Sequence, residues 1–438
     1  MKIPFWPQFK GFRDIDLGLD RIYKALERVN NPHKKLPKTI HIAGTNGKGS
    51  TLTFLRSIFE HNNYKVHCYT SPHLVEFNER IVLSGKTIDD SFLNQCLEEC
   101  KKACEKPPKI DLTFFEGTTL AAFLAFSKVN ADLLILETGM GGRLDATNIL
   151  DNVLASIITP IAIDHAEFLG ETLEEIAYEK SGIIKDNSTV FCAKQDDKAL
   201  EVIKNFAQQK SSQFFNFGNY YSYNAIENEF VFSYNFDENK KGNLKFSLPK
   251  FLHQKHQLEN LSNALALCFQ QELLPLDKDK VNLGITNAKW SARMELINDG
   301  LLYQKISKAI NMEKFRLFLD GGHNVSAAKA IQSSITKEKH KIFIFAMLPD
   351  KDCRGFLSQI KDSVDFLISC EIENSTPSMK NQDIINICED LDINNISSNS
   401  IEGAIDNAIS YIEQNSIENP DIIICGSLYL AGNFIEKN

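Results

Sequence analysis

One stretch near the N-terminus most constrains the fold, because it joins a buried strand, a glycine-rich turn and a helix start. Residues 39–51 read Thr-Ile-His-Ile-Ala-Gly-Thr-Asn-Gly-Lys-Gly-Ser-Thr, and helical spacing continues from Leu52 to His61. Glycines let backbone N–H groups turn towards a phosphate, and the helix N-terminus adds positive potential. Lys48 supplies a charge for the β and γ phosphates and Ser50 a hydroxyl for Mg²⁺. The stretch therefore predicts a P-loop that binds nucleotide phosphates.

The spacing differs from the usual P-loop pattern, because Gly49 stands between Lys48 and the hydroxyl residues. The alternative interpretation is a glycine-rich turn beside a surface lysine. The flanking strand and helix favour phosphate binding, and the variant spacing indicates a subfamily.

Length and composition limit the kinds of protein that fit. A chain of 438 residues predicts two domains, which we place at 1–296 and 297–438. The net charge of −9 and the lack of a basic block argue against nucleic acid as a partner. Apolar runs such as 153–163 are too short to span a bilayer, and residues 1–11 lack the features of a signal peptide. We expect a cytoplasmic protein without membrane association.

The ten cysteines have no paired short spacing. Cys96, Cys100 and Cys104 recur at helical intervals, and a metal site would need further ligands nearby. We interpret them as the buried face of a helix in a reducing compartment.

Continuous apolar strands, such as the one predicted over 153–163, alternate with helical segments, such as the amphipathic helix predicted over 14–30. This alternation predicts a parallel α/β sheet covered on both faces. Aromatic and polar residues alternate between 214 and 248, which predicts an antiparallel hairpin. Further strands at 315–319, 341–345, 366–369 and 421–425 predict a second, smaller, Rossmann-like α/β domain.

Polar groups follow the predicted strands where ligands of parallel sheets bind. Ser71, Glu137 and His165 come at such ends and together suit Mg²⁺ beside the phosphates. Each alone also fits a structural role, as a helix cap, a surface carboxylate or a capped loop end. From the residues alone, Lys180 is expected to be a surface lysine.

Several motifs together resemble the folylpolyglutamate synthase/dihydrofolate synthase family of the Mur ligase superfamily, over nearly the whole chain. The motifs are Leu17-Gly-Leu-Asp-Arg21, His41-Ile-Ala-Gly-Thr-Asn-Gly-Lys-Gly-Ser-Thr51, Ser71-Pro-His-Leu74, Glu79-Arg80, Glu137-Thr-Gly-Met-Gly-Gly-Arg-Leu-Asp-Ala-Thr-Asn148, Asp164-His165 and Glu179-Lys-Ser-Gly-Ile-Ile-Lys185.

The resemblance implies an ATP-dependent ligase. ATP phosphorylates a carboxylate, and the amine of L-glutamate attacks the acyl phosphate to give an amide, ADP and phosphate. The implied acceptors are dihydropteroate and tetrahydrofolate, and the implied state is a monomer. The implied cofactors are two Mg²⁺ ions, held in part by Ser71, Glu137 and His165, and a carbamylated Lys180, which reverses the surface interpretation of that lysine.

The resemblance also implies a role for each matching residue. The implied catalytic residues are Lys48, Lys180 and His323, with His323 near the incoming glutamate. The implied ATP contacts are Thr45, Asn46, Gly47, Lys48, Gly49, Ser50, Asn260, Arg293 and Asp320. The implied substrate contacts are Ile15, Asp16, Leu17, Thr113, Phe114, Phe115, Glu116, Leu144, Asp145 and Ala146 on the pterin side, and Ser427 near glutamate.

Three motifs depart from the family pattern. Ser291-Ala292-Arg293 stands where Pro-Gly-Arg is usual, Gly322 and Val325 replace Ala and Pro around His323, and Gln254 replaces a glycine. The arginine, aspartate and histidine are retained. We interpret the changes as altered backbone stiffness with unchanged chemistry.

Two other functions share some of these features. A Mur-type ligase acting on another carboxylate, as in peptidoglycan synthesis, shares the fold but is not expected to carry the pterin-side pattern. A non-catalytic P-loop nucleotide-binding protein or switch would not need Ser71, Glu137, His165 and Lys180 together, and the chain lacks the Asn-Lys-x-Asp element of GTPases.

Overall fold

The computed structural model describes residues 3–8, 16–249, 254–271, 275–310, 315–336, 338–373 and 378–438. The chain divides into two compact units, Met1–Lys289 and Trp290–Asn438. The division falls before the predicted boundary at 296/297, because Glu295–Ile297 pairs with Arg316–Leu319 in the sheet of the second unit.

The first unit is built on an eight-stranded sheet in the order β4-β3-β2-β5-β1-β6-β7-β8. Its strands are β1 Lys38–Ala43, β2 Val66–Tyr69, β3 Ile81–Leu83, β4 Lys86–Thr87, β5 Leu133–Glu137, β6 Ala155–Ile158, β7 Thr189–Cys192 and β8 Gln213–Asn216. From β2 to β8 the neighbours pair parallel, whereas β3 and β4 form an antiparallel edge. The strand that leads into the P-loop is therefore central, between β5 and β6.

The helices of this unit include those that connect its parallel strands, one before β1 and two that follow the strand Lys241–Ser247. They are α1 Asp20–Arg28, α2 Lys48–His61, α3 Asp90–Glu105, α4 Phe114–Lys128, α5 Ala166–Leu169, α6 Leu173–Ser181, α7 Asp197–Gln209, α8 Lys255–Gln270 and α9 Lys278–Asn287. Every residue of β5 is buried, which explains its continuous apolar sequence. Cys96, Cys100 and Cys104 lie on the buried face of α3, as predicted.

The structure corrects three predicted elements of the first unit. The helix expected from residue 14 begins at Asp20, and residues 16–19 are not helical. The strand expected over 153–163 ends at Ile158, and the Pro160 carbonyl instead accepts hydrogen bonds from the P-loop. The expected hairpin is a separate three-stranded antiparallel sheet, while β8 joins the main sheet. Its strands are β9 Tyr221–Ile226, β10 Glu229–Asn235 and β11 Lys241–Ser247.

The second unit contains a six-stranded sheet in the order β12-β13-β17-β14-β15-β16. Its strands are β12 Glu295–Ile297, β13 Arg316–Leu319, β14 Lys341–Phe345, β15 Phe366–Cys370, β16 Asn395–Ser398 and β17 Asp421–Cys425. All neighbours pair parallel except β12 with β13. Its helices are α10 Leu301–Ala309, α11 Val325–Ser334, α12 Cys353–Ile360, α13 Asn381–Asp390, α14 Ile401–Gln414 and α15 Leu428–Lys437.

The predicted second α/β unit is thus present, with strands β12 and β16 and helices α10 and α15 that the sequence did not indicate. In neither unit do the described residues include a helix long and apolar enough to cross a membrane.

Candidate active site

The P-loop connects β1 to α2 through two glycines that no other residue replaces easily. Gly47 has a φ of +84° at the start of α2, and a Cβ atom there would lie 2.3 Å from Oδ1 of Asn260. At Gly44 a Cβ would lie 1.9 Å from Oγ1 of Thr159. The backbone N–H groups of Thr45 and Asn46 donate to the Pro160 carbonyl. The turn is therefore fixed against the end of β6, with Asn260 of α8 directly beside it.

Lys48 folds back over this turn. Its Nζ atom donates to the carbonyls of Gly44, at 3.1 Å, and Thr45, at 3.4 Å, and lies 4.0 Å from Oε1 of Glu137. The ammonium therefore lies between the predicted phosphate loop and the predicted metal carboxylate.

Lys180 reaches the same turn from α6. The side chain is buried, and its Nζ donates to the Gly44 carbonyl at 3.0 Å. Burial and the neighbouring charge of Lys48 lower the pKa of Lys180 to about 7. The surface position expected from the residues alone is wrong, and a substantial fraction of this buried amine is neutral near neutral pH.

Two of the three predicted metal ligands meet at the ends of neighbouring strands. The Ser71 N–H donates to Oε2 of Glu137 at 3.3 Å, and Glu137 is buried. The Oγ atom of Ser71 is buried and has no hydrogen-bond partner among the described residues. His165 precedes α5 with a φ of +51°, and its Nε2 lies 4.0 Å from Oδ2 of Asp164.

An unpartnered hydroxyl beside a buried carboxylate fits Mg²⁺, which prefers oxygen ligands and retains several waters or phosphate oxygens. Within the described ranges no three His, Cys, Asp or Glu side chains form a metal-binding group. A magnesium ion that binds phosphates usually has few protein ligands.

The predicted pterin-side residues are joined by Arg21, to which the sequence assigned no role. The Arg21 Nε donates to both Glu116 oxygens at 3.1 Å, and Nη1 and Nη2 donate to the side chain and carbonyl of Asp16 at 2.5 and 2.6 Å. Glu116 also accepts from the Thr113 N–H in a capping box at the start of α4. A buried glutamate at a helix start is a signal that a cation is nearby. Ile15 lies outside the described residues.

Apolar groups complete this region. The rings of Phe114 and Phe77 lie 6.0 Å apart, and those of Phe115 and Tyr69 lie 6.2 Å apart. A Cβ at Gly139 would lie 2.4 Å from Cζ of Phe115, so the ring rests on the loop after β5. The remaining predicted apolar residues are Leu17 and Leu144, which are half-buried, and Ala146, which is buried.

Asp145 shapes that loop from within. Its Oδ2 accepts from the N–H groups of Gly139 and Met140 at 2.9 and 2.8 Å. Its Oδ1 accepts from the N–H and hydroxyl of Thr147 at 2.9 and 2.5 Å. Burial raises the pKa of Asp145, while these hydrogen bonds oppose the rise. The carboxylate therefore organises the loop backbone, a role that the sequence did not predict.

In the second unit, Arg293 and Asp320 lie at the end of β13. Oδ2 of Asp320 accepts from Met294 N–H and Oδ1 from Gly322 N–H, both at 2.7 Å. Burial raises the pKa of Asp320, and the charge of Arg293 opposes this. A Cβ at Gly321 would lie 3.0 Å from Nη1 of Arg293.

His323 and Ser427 belong to the same loop region. Nδ1 of His323 lies 3.1 Å from the Gly321 carbonyl, and Ser427 caps α15 through Tyr429. Gly426 N–H bonds to the Gly322 carbonyl, which joins the ends of β13 and β17. The four predicted residues of this unit are thus gathered at one edge of its sheet.

The departures at 292 and 325 have structural explanations. Ala292 has a φ of +56°, a left-handed conformation that favours glycine. Val325 is the first residue of α11, where proline is favoured but not required, and Asn324 caps the helix.

Ala292→Gly is expected to raise the free energy of unfolding of the second unit by up to about 1 kcal/mol, because it removes the left-handed strain. Urea denaturation monitored in this unit measures the change. Ala328→Gly, inside α11, is the matched control and should destabilise by about 1 kcal/mol or more. A loss of stability in both variants would contradict strain at Ala292.

Comparison with known proteins finds two family models along the chain. Residues 42–268 match the Mur ligase middle domain, and residues 303–437 match the dihydrofolate synthetase C-terminal domain. Dihydrofolate synthetase of Saccharomyces cerevisiae is 30% identical, over 96% of this chain and 97% of that protein. The dihydrofolate synthase/folylpolyglutamate synthase of Escherichia coli is 30% identical, over 97% and 92%.

The chain belongs to the dihydrofolate synthase/folylpolyglutamate synthase family. Members of this family are Mur-type ligases, so the predicted fold and the predicted ATP-dependent ligase activity are confirmed.

Solved structures of the family share the fold. E. coli FolC in complex with DHPP and ADP has a TM-score of 0.82 and 29% identity, covering 96% of this chain and 93% of that chain. A bifunctional folylpolyglutamate synthase/dihydrofolate synthase with Mn, AMPPNP and L-glutamate bound has a TM-score of 0.80 and 26% identity, covering 96% and 94%.

Proposed function

We propose that this ligase joins L-glutamate to the carboxylate of dihydropteroate and extends tetrahydrofolate with glutamate by the same chemistry. The proposal rests on the pairing of strands β1 and β5. The P-loop and the loop organised by Asp145 follow two paired strands, β1 and β5, in which Ile42 lies opposite Glu137. The loops to which we assign the phosphate, metal and pterin-side residues therefore follow neighbouring strands of the first unit.

The proposed reaction has two steps. The acceptor carboxylate attacks the γ-phosphorus of ATP, which forms an acyl phosphate and releases ADP. The amine of L-glutamate then attacks the acyl carbon, which forms the amide, expels phosphate and gives up a proton. We assign to Lys48 the neutralisation of charge on the transferred phosphoryl group, and to His323 and Ser427 the placement of glutamate.

We assign Mg²⁺ to Ser71, Glu137 and His165, where it would neutralise phosphate charge. A second ion is proposed near Lys180 in its carbamylated form. The lowered pKa of Lys180, about 7, supports this modification, because a substantial fraction of the buried amine is then unprotonated near neutral pH. Only the neutral amine adds to CO₂, giving a carbamate and releasing a proton.

The other ATP contacts remain proposals of the same kind. They are Thr45, Asn46, Gly47, Gly49, Ser50 and Asn260 in the first unit, and Arg293 and Asp320 in the second. We also propose a monomer in the cytoplasm, and the ten free, buried cysteines are consistent with a reducing compartment.

Phosphate release from Mg-ATP with L-glutamate tests the proposal, with dihydropteroate, tetrahydrofolate or no pterin as the acceptor. Release that depends on dihydropteroate supports dihydrofolate synthesis, and release with both acceptors supports both activities. A folded protein that releases phosphate with neither acceptor would contradict the proposed substrates.

Asp145→Ala is expected to raise the KM for dihydropteroate at least about tenfold while changing the KM for ATP less than about twofold, because the loop loses its internal anchor. Steady-state kinetics with each substrate varied separately measures both values. Asp151→Ala, an exposed aspartate beyond the same loop, is the control. Equal rises for both substrates would contradict a pterin-side role.

A further inference from the structure

Buried hydrogen bonds link the strand that leads into the P-loop with the loop after β5. His41 on β1 and Thr147 in the loop are both fully buried, and Asp145 is 3% exposed. Nε2 of His41 lies 2.9 Å from Oγ1 of Thr147, and that oxygen lies 2.5 Å from Oδ1 of Asp145. The three side chains therefore form one continuous chain of contacts.

The direction of the hydrogen bonds follows from the groups present. All four hydrogen bonds to the Asp145 oxygens come from N–H or O–H donors, so the carboxylate acts as acceptor throughout. The Thr147 hydroxyl gives its proton to Asp145, and its oxygen accepts from Nε2–H of His41. Nδ1 of His41 finds no partner in the part of the chain that the structure describes. Burial lowers the pKa of His41 to about 3, so the ring is neutral.

Beyond Asp145, this series of hydrogen bonds ends on backbone N–H groups. Oδ2 of Asp145 holds the N–H groups of Gly139 and Met140, and Gly139 lies against the ring of Phe115. This segment is a wall of the region assigned to the pterin.

We propose that His41 and Thr147 are positioning residues for the pterin acceptor, which through Asp145 hold the Gly139–Met140 backbone in its binding shape. This inference rests on the proposed function. The ATP side should be affected much less, because other contacts fix the P-loop: the Pro160 carbonyl binds the two N–H groups after Gly44.

Two substitutions at Thr147 separate the hydroxyl from the shape of the side chain. Thr147→Val keeps the shape and removes the hydroxyl, and should raise the KM for dihydropteroate about tenfold with less than about a twofold change for ATP. Thr147→Ser keeps the hydroxyl and should restore the KM to within about threefold of wild type. A general structural defect would change the KM values for both substrates, and Thr147→Ser would not restore the value for dihydropteroate alone.

His41→Asn shortens the side chain, so that its N–H donor no longer reaches the Thr147 hydroxyl. This variant should therefore resemble Thr147→Val. The KM for dihydropteroate in the double variant should be no higher than in either single variant, since both substitutions break the same series of hydrogen bonds. Additive losses would show that His41 and Thr147 act separately and would overturn the proposal.

Amide hydrogen exchange at Gly139 and Met140 gives a readout that needs no turnover. Exchange should be faster in Thr147→Val and return to the wild-type rate in Thr147→Ser. If wild type does not use dihydropteroate, the proposed function fails, and the exchange still tests separately whether His41 and Thr147 hold the Gly139–Met140 backbone. Unchanged exchange in Thr147→Val, or equal rises in both KM values, would overturn it.

Discussion

Lys48→Ala is expected to lower kcat/KM for amide formation at least about 1000-fold, because phosphoryl transfer depends on positive charge held at the γ-phosphate. The Lys48 ammonium lies between the carbonyls of the P-loop and Oε1 of Glu137. Its removal takes the full cation from this loop. Phosphate release under saturating pterin and L-glutamate measures the loss.

The fold should survive this substitution. Lys48 is partly exposed, and the Gly44 carbonyl keeps a second donor in Lys180. Lys65→Ala, at an exposed position before β2, is the matched control and should retain wild-type turnover. A Lys48→Ala enzyme with near wild-type kcat/KM would contradict the P-loop assignment.

Lys180→Met is expected to lower kcat at least about 100-fold, because methionine fills the same buried space without an amine that can be carbamylated. Lys185→Met is the control, since Lys185 also has a pKa lowered by burial, to about 8, but donates to the Asn148 carbonyl away from the P-loop. Partial rescue of a smaller variant, Lys180→Ala, by added short carboxylates would support the carboxylate-like role. Wild-type activity in Lys180→Met would contradict it.

Lys180→Met should also stabilise the folded protein in CO₂-free buffer below about pH 7. There the lysine is protonated in both folded and unfolded chains, and the folded state carries the cost of a buried charge, on the order of a few kcal/mol. Between about pH 7 and 10.5, Lys180 is largely neutral in the folded protein but still protonated in the unfolded chain. The cost of the buried charge therefore declines towards zero as the pH rises through this range. Denaturant titrations should therefore show a gain for Lys180→Met that shrinks with pH, and a gain independent of pH would contradict the lowered pKa.

The sequence predicted those parts of the site that lie within a continuous motif. The P-loop was predictable because the glycines, the lysine and the helix start are adjacent in the chain. The buried strands were predictable because they are unbroken apolar runs. The strand-end rule also brought Ser71 and Glu137 together, since β2 and β5 are parallel neighbours.

Features set by long-range packing were not predictable in the same way. Arg21 meets Glu116 only when α1 lies beside α4, and the burial of Lys180 depends on how α6 approaches Gly44. Asp145 matched a substrate position, yet its oxygens are engaged with its own loop, which local spacing does not reveal. A hydrogen-bond direction or a lowered pKa follows from the assembled surroundings of a group.

Transfer of ¹⁸O from the acceptor carboxylate to phosphate tests for the acyl phosphate intermediate. The enzyme would be given dihydropteroate labelled with ¹⁸O in its carboxylate, together with Mg-ATP and L-glutamate, and the released phosphate analysed by mass spectrometry. Attack of the carboxylate on ATP predicts one labelled oxygen in phosphate for each amide formed. Amide formation with unlabelled phosphate would contradict an acyl phosphate intermediate and the account of the active site built on it.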